Sequence, residues 1–245
     1  MKFFAKSDIG KARETNQDSF YISQPSQSTG LYIVADGMGG YNGGDIASNL
    51  AVTAAKEYIE ENFIKIEHNK EEIQKLIRNA IEYANMIVYE KSQEKKELEG
   101  MGTTIEIVLA YNNRVYIGHI GDSRIYRIRK NFMRKLTVDD SYVQKLVKDG
   151  TITKEQAINH PKKNMLTKAL GCTAFVEPVV SVKGFLKNDI IVITSDGLTN
   201  MVNEDKIFEI VTTNKENPAD ELIEKANEAG GIDNITVVIV VNNND

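Results

Sequence analysis

Apolar positions along the chain fall into two kinds of pattern. Leu31-Tyr32-Ile33-Val34-Ala35, Ile190–Ile193 and Val237–Val241 are short, unbroken runs. Their length predicts buried strands and falls far short of a membrane span. The first stops at Asp36-Gly37-Met38-Gly39-Gly40, which reads as a tight loop leaving a strand. Other stretches repeat at helical spacing. A helix is expected over Asp45–Asn62 with Ile46, Leu50, Ala54, Tyr58 and Ile59 on one side. A second carries Ile73, Leu76, Ile77, Ala80, Ile81, Ala84, Ile87 and Val88, the i, i+3, i+4 pattern of a core-facing helix.

A strand-rich block follows. Thr103–Tyr111 and Arg114–Ile120 flank Asn112-Asn113, a hairpin turn suited to asparagine's tolerance of positive φ. Ile125–Arg129 and Phe132–Leu136 predict a second hairpin. From Ser141 to Phe175 the pattern is helical but short and polar, broken by Gly150, Pro161 and Gly171, and reads as an irregular surface insertion. Strands are expected at Val176–Lys183, Asp189–Thr194 and Ile235–Val241, and helices near Glu204–Thr213 and Pro218–Ala229. Antiparallel hairpins with paired helices predict an α+β layered domain rather than a parallel βαβ array. No Gly/Ser-rich or proline-rich linker divides the chain, so one domain over residues 1–245 is expected.

Composition narrows the partners. The net charge of -5 argues against nucleic acid, which wants a basic face, while leaving room for a local phosphate pocket. One cysteine, Cys172, rules out an intrachain disulfide framework and suits a reducing cytosol. Met1–Asp8 lacks the apolar region of a signal peptide, so a soluble, cytoplasmic protein without membrane insertion is expected.

The candidate chemistry lies in aspartates beside strand-like segments: Asp18, Asp36, Asp122, Asp196 and Asp233. A single Asp-Gly is ordinarily a turn, because Asp bonds its own backbone and Gly supplies positive φ. As a set they suit hard divalent cations such as Mg²⁺ and Mn²⁺, which take oxygen ligands. Two such ions about 4 Å apart can share a water and lower its pKa. Arg13, just before Asp18, is suited to grip two phosphate oxygens at once.

Arg13-x-x-Asn16-Gln17-Asp18, Asp36-Gly37-Met38-Gly39-Gly40, Gly102-Thr103-Thr104, Gly121-Asp122-Ser123-Arg124, Ser195-Asp196-Gly197-Leu198 and Asp233-Asn234-x-Thr236 occur in this order. In order and spacing the chain resembles the bacterial type 2C metal-dependent Ser/Thr protein phosphatases, from Asp8 to Val241. The resemblance implies a central antiparallel β-sandwich flanked by helices on both faces, with a flap at about 141–175. It implies that Asp36 bridges two metals, that the Gly37 carbonyl serves one, and that Asp196 and Asp233 serve the first metal and Asp18 the second. Asp122 with Asp196 would complete a weaker third site, Arg13 would hold the substrate phosphate, and a water bridging the metals would attack phosphoserine or phosphothreonine. The implied cofactors are Mn²⁺ or Mg²⁺. The implied partners are phosphorylated proteins, substrates of a cognate Ser/Thr kinase, met by a monomer.

The departures concern the proton donor. Met38, Tyr41 and Asp140 stand where relatives place histidines, which leaves the leaving-group proton to a water on the metal. Of the three histidines, His68 reads as solvated, His119 as structural, and His160 as a possible substrate contact. Rival readings fare worse. Gly121-Asp122-Ser123 opens like a serine esterase, yet no histidine follows His160, and Ser123 is expected to bond locally. A cysteine phosphatase needs Arg six residues after its cysteine, where this chain has Pro178. A pseudophosphatase that only binds phosphoproteins is the alternative from another class, but such chains lose metal aspartates that are present here.

Overall fold

The computed structural model describes residues 1–24, 29–38 and 43–243. Chain order is β1 (Lys2–Asp8), β2 (Asp18–Ile22), β3 (Thr29–Met38), α1 (Gly44–Phe63), α2 (Lys70–Glu94), β4 (Gly102–Thr103), β5 (Ile105–Tyr111) and β6 (Arg114–Ile120). Then come β7 (Arg124–Arg129), β8 (Phe132–Lys135), α3 (Tyr142–Lys148), α4 (Lys154–Ile158), β9 (Val179–Gly184) and β10 (Ile190–Thr194). The described chain closes with α5 (Asp196–Thr199), α6 (Glu204–Thr213), α7 (Pro218–Glu228) and β11 (Ile235–Val241).

One antiparallel sheet has the order β1-β11-β10-β7-β8, the other β2-β3-β5-β6-β9, with β4 beside the end of β3. Alternate residues of each central strand face opposite ways. Tyr32 and Val34 of β3 meet Ile191, Ile193, Val238 and Val240 between the sheets. Ile33 and Ala35 turn outward onto α1 and α2. Val192, Val237 and Ile239 turn outward onto α6 and α7. These strands are unbroken apolar runs because both of their faces are covered. The layers are therefore helices, sheet, sheet, helices, in agreement with the α+β expectation.

Several elements follow directly from local chemistry. Asn112 and Asn113 adopt φ 47° and 56° in the β5–β6 turn. Asn69 caps α2 by accepting the Glu72 N–H at 2.9 Å. At Gly118 of β6 a Cβ would lie 2.5 Å from Ile77, so glycine lets α2 press onto the sheet.

Other expectations need correction. On α1 the expected face holds in part: Ala54 and Ile59 are buried and Leu50 and Tyr58 pack against the core, but Ile46 is 37% exposed and Ala47, Ala51 and Ala55 complete the buried face. The alanines let the helix sit close to the sheet, and their weak hydrophobicity keeps them from standing out in the apolar pattern. The β9 ladder starts at Val179 rather than Val176, because Pro178 has no N–H to give it. The apolar pattern does not predict strands β1 and β2. Both are sheet edges, where half-exposed residues blur the alternation. The 141–175 segment has the short helices expected, and neither α3 nor α4 buries a residue. Its root is closed by an isolated bridge between Ser141 and Leu166, and Leu170 bridges to Thr103.

Candidate metal centre

Every candidate aspartate sits at or beside a strand end on one pole of the sandwich. Asp18 opens β2 directly opposite Asp36 near the end of β3. Asp36 is held by its backbone. Its N–H donates to Thr104 Oγ1 at 2.9 Å, and its carbonyl accepts from the Thr104 N–H and the Thr103 hydroxyl, both at 2.9 Å. Gly37 follows with no room for a side chain: a Cβ would lie 2.1 Å from the Gly44 carbonyl oxygen and 2.6 Å from that of Gln17. Asp122 lies between β6 and β7, Asp196 at the start of α5 immediately after β10, and Asp233 just before β11.

Polar neighbours fix these carboxylates. Ser195 Oγ donates to Asp18 Oδ2 at 2.7 Å and accepts the Thr236 N–H at 2.9 Å. Asn200 donates to Asp196 Oδ2 at 2.9 Å. Asn234 stitches the loop after β1 to β11, donating to the Ile9 and Thr15 carbonyls at 2.9 Å and accepting the Gln17 N–H at 2.8 Å. Arg13 Nη2 donates to Asp233 Oδ2 at 2.8 Å while half of its side chain stays exposed.

Arg13 and Arg124 offset only part of the negative charge. Burial pushes Asp18 up to about 7, with Asp196 and Asp233 adding repulsion against the Ser195 and Thr236 hydrogen bonds. Burial and repulsion from Asp18, Asp196, Asp122 and Asp233 hold Asp36 well above the usual carboxylate range. Burial and Asp196 push Asp122 up to about 8, against the pull of Arg124. Asp196 is raised by burial and by Asp233, and its carboxyl is within hydrogen-bonding reach of Asp36. Carboxylates in this arrangement share either protons or cations.

Among the described residues, no three acidic, histidine or cysteine side chains already form a closed cage. The donors nevertheless fit a hard divalent ion. They are oxygens only, they repel one another, and Asp18 Oδ1 is buried without a hydrogen-bond partner. A buried, unpaired carboxylate oxygen costs free energy unless something binds it.

A family description, protein phosphatase 2C, matches residues 10–225 of this chain. The chain belongs to the protein phosphatase 2C family. A serine/threonine phosphatase named stp from Listeria welshimeri is 38% identical over 240 residues, covering 97% of this chain and 94% of the relative. The solved S. agalactiae serine/threonine phosphatase superposes with a TM-score of 0.89 at 37% identity, covering 98% of this chain and 99% of that one. The catalytic domain of the serine threonine protein phosphatase PstP, solved in complex with two manganese ions, gives 0.84 at 32% identity over 97% and 96%.

Within the phosphatase 2C motifs, Thr103, Thr104, Ser195, Asn234 and Thr236 carry no role that the sequence alone reveals. Thr103, Thr104 and Ser195 hold Asp36 and Asp18, and Thr236 holds Ser195. Asn234 holds Gln17 beside Asp18 through a bond spanning 217 residues. Ser123 does not bond locally as expected. It is fully buried, 3.0 Å from Thr104 Oγ1, which removes it as a nucleophile. His119 is structural as read, 2.6 Å from Glu106. His68 is exposed but stacks on Phe63 at 4.4 Å and bonds the Phe63 carbonyl, so it closes a helix end rather than standing free in solvent. His160 is half-buried, and its Nδ1 accepts the Lys162 N–H at 3.1 Å. Met38 pairs with Gly102 and offers no proton; Tyr41, with Gly39 and Gly40, lies outside the described residues.

Proposed function

We propose that this phosphatase 2C chain hydrolyses phosphoserine and phosphothreonine on proteins, with divalent ions held by Asp18, Asp36, the Gly37 carbonyl, Asp196 and Asp233. The convergence of carboxylates on Asp36 at one pole carries the reading. When bound, such ions supply a nucleophilic water at neutral pH and a positive field for charge developing on the phosphate. The chain's own part is to hold the donors rigid: Thr103 and Thr104 clamp Asp36, and Ser195 turns Asp18 inward. Asp122 would complete a weaker third site with Asp196. Both Mn²⁺ and Mg²⁺ suit all-oxygen donors, and the two manganese ions of the PstP domain favour Mn²⁺ as the first ion to test.

Arg13 extends from the rim and is well placed to take phosphate oxygens in exchange for Asp233. Segment 141–175 is read as a flap beside the site within a single catalytic domain. The partners are read as phosphoproteins made by a Ser/Thr kinase, met by a monomer in the cytoplasm. No helix among the described residues is long and apolar enough to cross a membrane. A relative that binds phosphoproteins without turnover would be marked by lost aspartates, and Asp18, Asp36, Asp196 and Asp233 are all present.

The test is phosphate release from phosphoserine, phosphothreonine and phosphotyrosine peptides with and without Mn²⁺. Release from the first two should require the metal, and undiminished turnover in excess chelator would sink the mechanism. Arg13→Ala should raise KM about tenfold with little change in kcat, because a charge-assisted bond to phosphate exists in both ground and transition states. A loss confined to kcat would instead assign Arg13 to the transition state.

A further inference from the structure

We propose that the buried Glu106–His119 pair and Asp140 form a brace that sets the position of Asp122 and of the root of segment 141–175. His119 and Asp140 are then positioning residues for phosphate hydrolysis, a role that rests on the proposed metal centre.

His119 in β6 stands opposite Glu106 in β5, with side chains 2% and 0% exposed. Its Nδ1 is 2.6 Å from Glu106 Oε1 and its Nε2 is 2.8 Å from the Val138 carbonyl oxygen. A carbonyl only accepts, so Nε2 carries a proton. Burial opposes charge on the ring, but Glu106, the Val138 carbonyl and Asp140 outweigh it and push His119 up to about 9. A buried ion pair of this kind is poor value as stabilisation, since apolar residues of similar volume often serve as well or better. Glu106 Oε2, buried and without a partner, adds to the cost. What the pair does supply is direction.

Its direction is toward residues 138–140. Asp140 lies 3.9 Å from His119 Nε2 and grips Gly121 twice: its N–H donates to the Gly121 carbonyl at 2.6 Å, and its carboxylate accepts the Gly121 N–H at 3.3 Å. Its own carbonyl accepts the Thr167 N–H at 2.7 Å, beside the Ser141–Leu166 bridge that closes the segment's root. Asp139 holds Arg124 through bonds of 3.1 and 2.8 Å. Asp122 is therefore fixed on both flanks, Gly121 by Asp140 and Arg124 by Asp139. One residue, Asp140, joins the metal loop to the segment beyond it, by its backbone and its carboxylate on the Gly121 side and by its carbonyl on the Thr167 side. His119 faces that joint from the core.

Mn²⁺ binding to the full chain, read from the free-ion paramagnetic resonance signal, tests this alongside kcat/KM. Asp140→Ala should weaken the most loosely bound Mn²⁺ about tenfold, the usual scale for losing a group that orients a metal ligand, and leave the tighter ions within about threefold. Asp140→Asn keeps an acceptor for Gly121 and should remain within about threefold of wild type throughout. The apolar pair Glu106→Leu with His119→Phe should fold with an undiminished melting temperature yet weaken the same ion, separating position from stability. Unchanged Mn²⁺ binding in Asp140→Ala overturns the brace, as does an Asp140→Asn as impaired as the alanine variant, which would make the carboxylate a charge or proton group. Wild-type binding by a folded apolar pair removes His119 from it. A wild-type chain that binds no Mn²⁺ overturns the metal centre itself, and the brace with it.

Discussion

Asp36→Asn is expected to cut phosphate-ester hydrolysis about a thousandfold while raising the melting temperature of the metal-free protein at pH 8. The two effects have one cause. Asp36 faces Asp18 across the β2–β3 ladder, touches Asp196, and feels the charges of Asp122 and Asp233. An unfolded aspartate is ionised at pH 8, whereas the folded Asp36 must either bear that repulsion or take up a proton, and asparagine avoids both costs. The clamps from Thr103 and Thr104 act on the Asp36 backbone, so they survive the substitution. Bound metal ions contribute several kcal/mol to transition-state stabilisation, and each 1.4 kcal/mol is tenfold in rate. Relief of repulsion worth about 1 kcal/mol raises the melting temperature by about 2–4 °C in a chain of this size. Thermal melts and aryl phosphate turnover check both halves. Turnover within tenfold of wild type would remove Asp36 from the metal centre, and a lowered melting temperature would refute the repulsion argument.

The second large effect is on stability against pH. Asp18 titrates at about 7 and Asp122 at about 8 in the folded, metal-free protein, and Asp36 and Asp196 are also raised. An unfolded Asp titrates near 3.9. Between about pH 4 and 8 the folded chain therefore holds more protons than the unfolded chain, so its stability falls as pH rises. His119, raised to about 9, adds loss in the same direction above its unfolded value of about 6.5. Mn²⁺ needs the ionised carboxylates, and at a hundred times its Kd it adds about 2.7 kcal/mol. Melting temperature in chelator should thus decline from pH 5.5 to 8, and the gain on adding Mn²⁺ should widen over the same interval to about 5–10 °C. A chelated protein whose stability rose toward pH 8 would contradict the carboxylate cluster. A gain from Mn²⁺ that was equal at pH 5.5 and 8 would show that the ion binds elsewhere.

The aspartates are legible in the sequence because chemistry confines them to recognisable surroundings. Each adjoins a glycine or a strand end, and together they form an ordered series. Their partners are much harder to read there. Asn234 ties its loop to Ile9, 225 residues away in sequence, and Glu106 meets His119 only because β5 and β6 align them. His68 is similar, since beside nearby Phe63 its ring also packs on Tyr111 at the end of β5.

By itself, the sequence determined the central strands, the α2 face and the β5–β6 turn. Strands covered on both sides need unbroken apolar runs, a core-facing helix needs apolar residues every three or four positions, and paired asparagines accept positive φ. It also determined the oxygen-only chemistry of the candidate site. Tertiary structure decided the edge strands β1 and β2, which exist through their partners, and which part of α1 sits closest to the sheet, where Ala47, Ala51 and Ala55 are buried while Ile46 stays exposed. It alone decided how the site is held. Hydrogen bonds and buried charges act across space over a few ångströms, and the residues that meet at Asp18, Asp36 and Asp122 come from chain segments that only folding brings together.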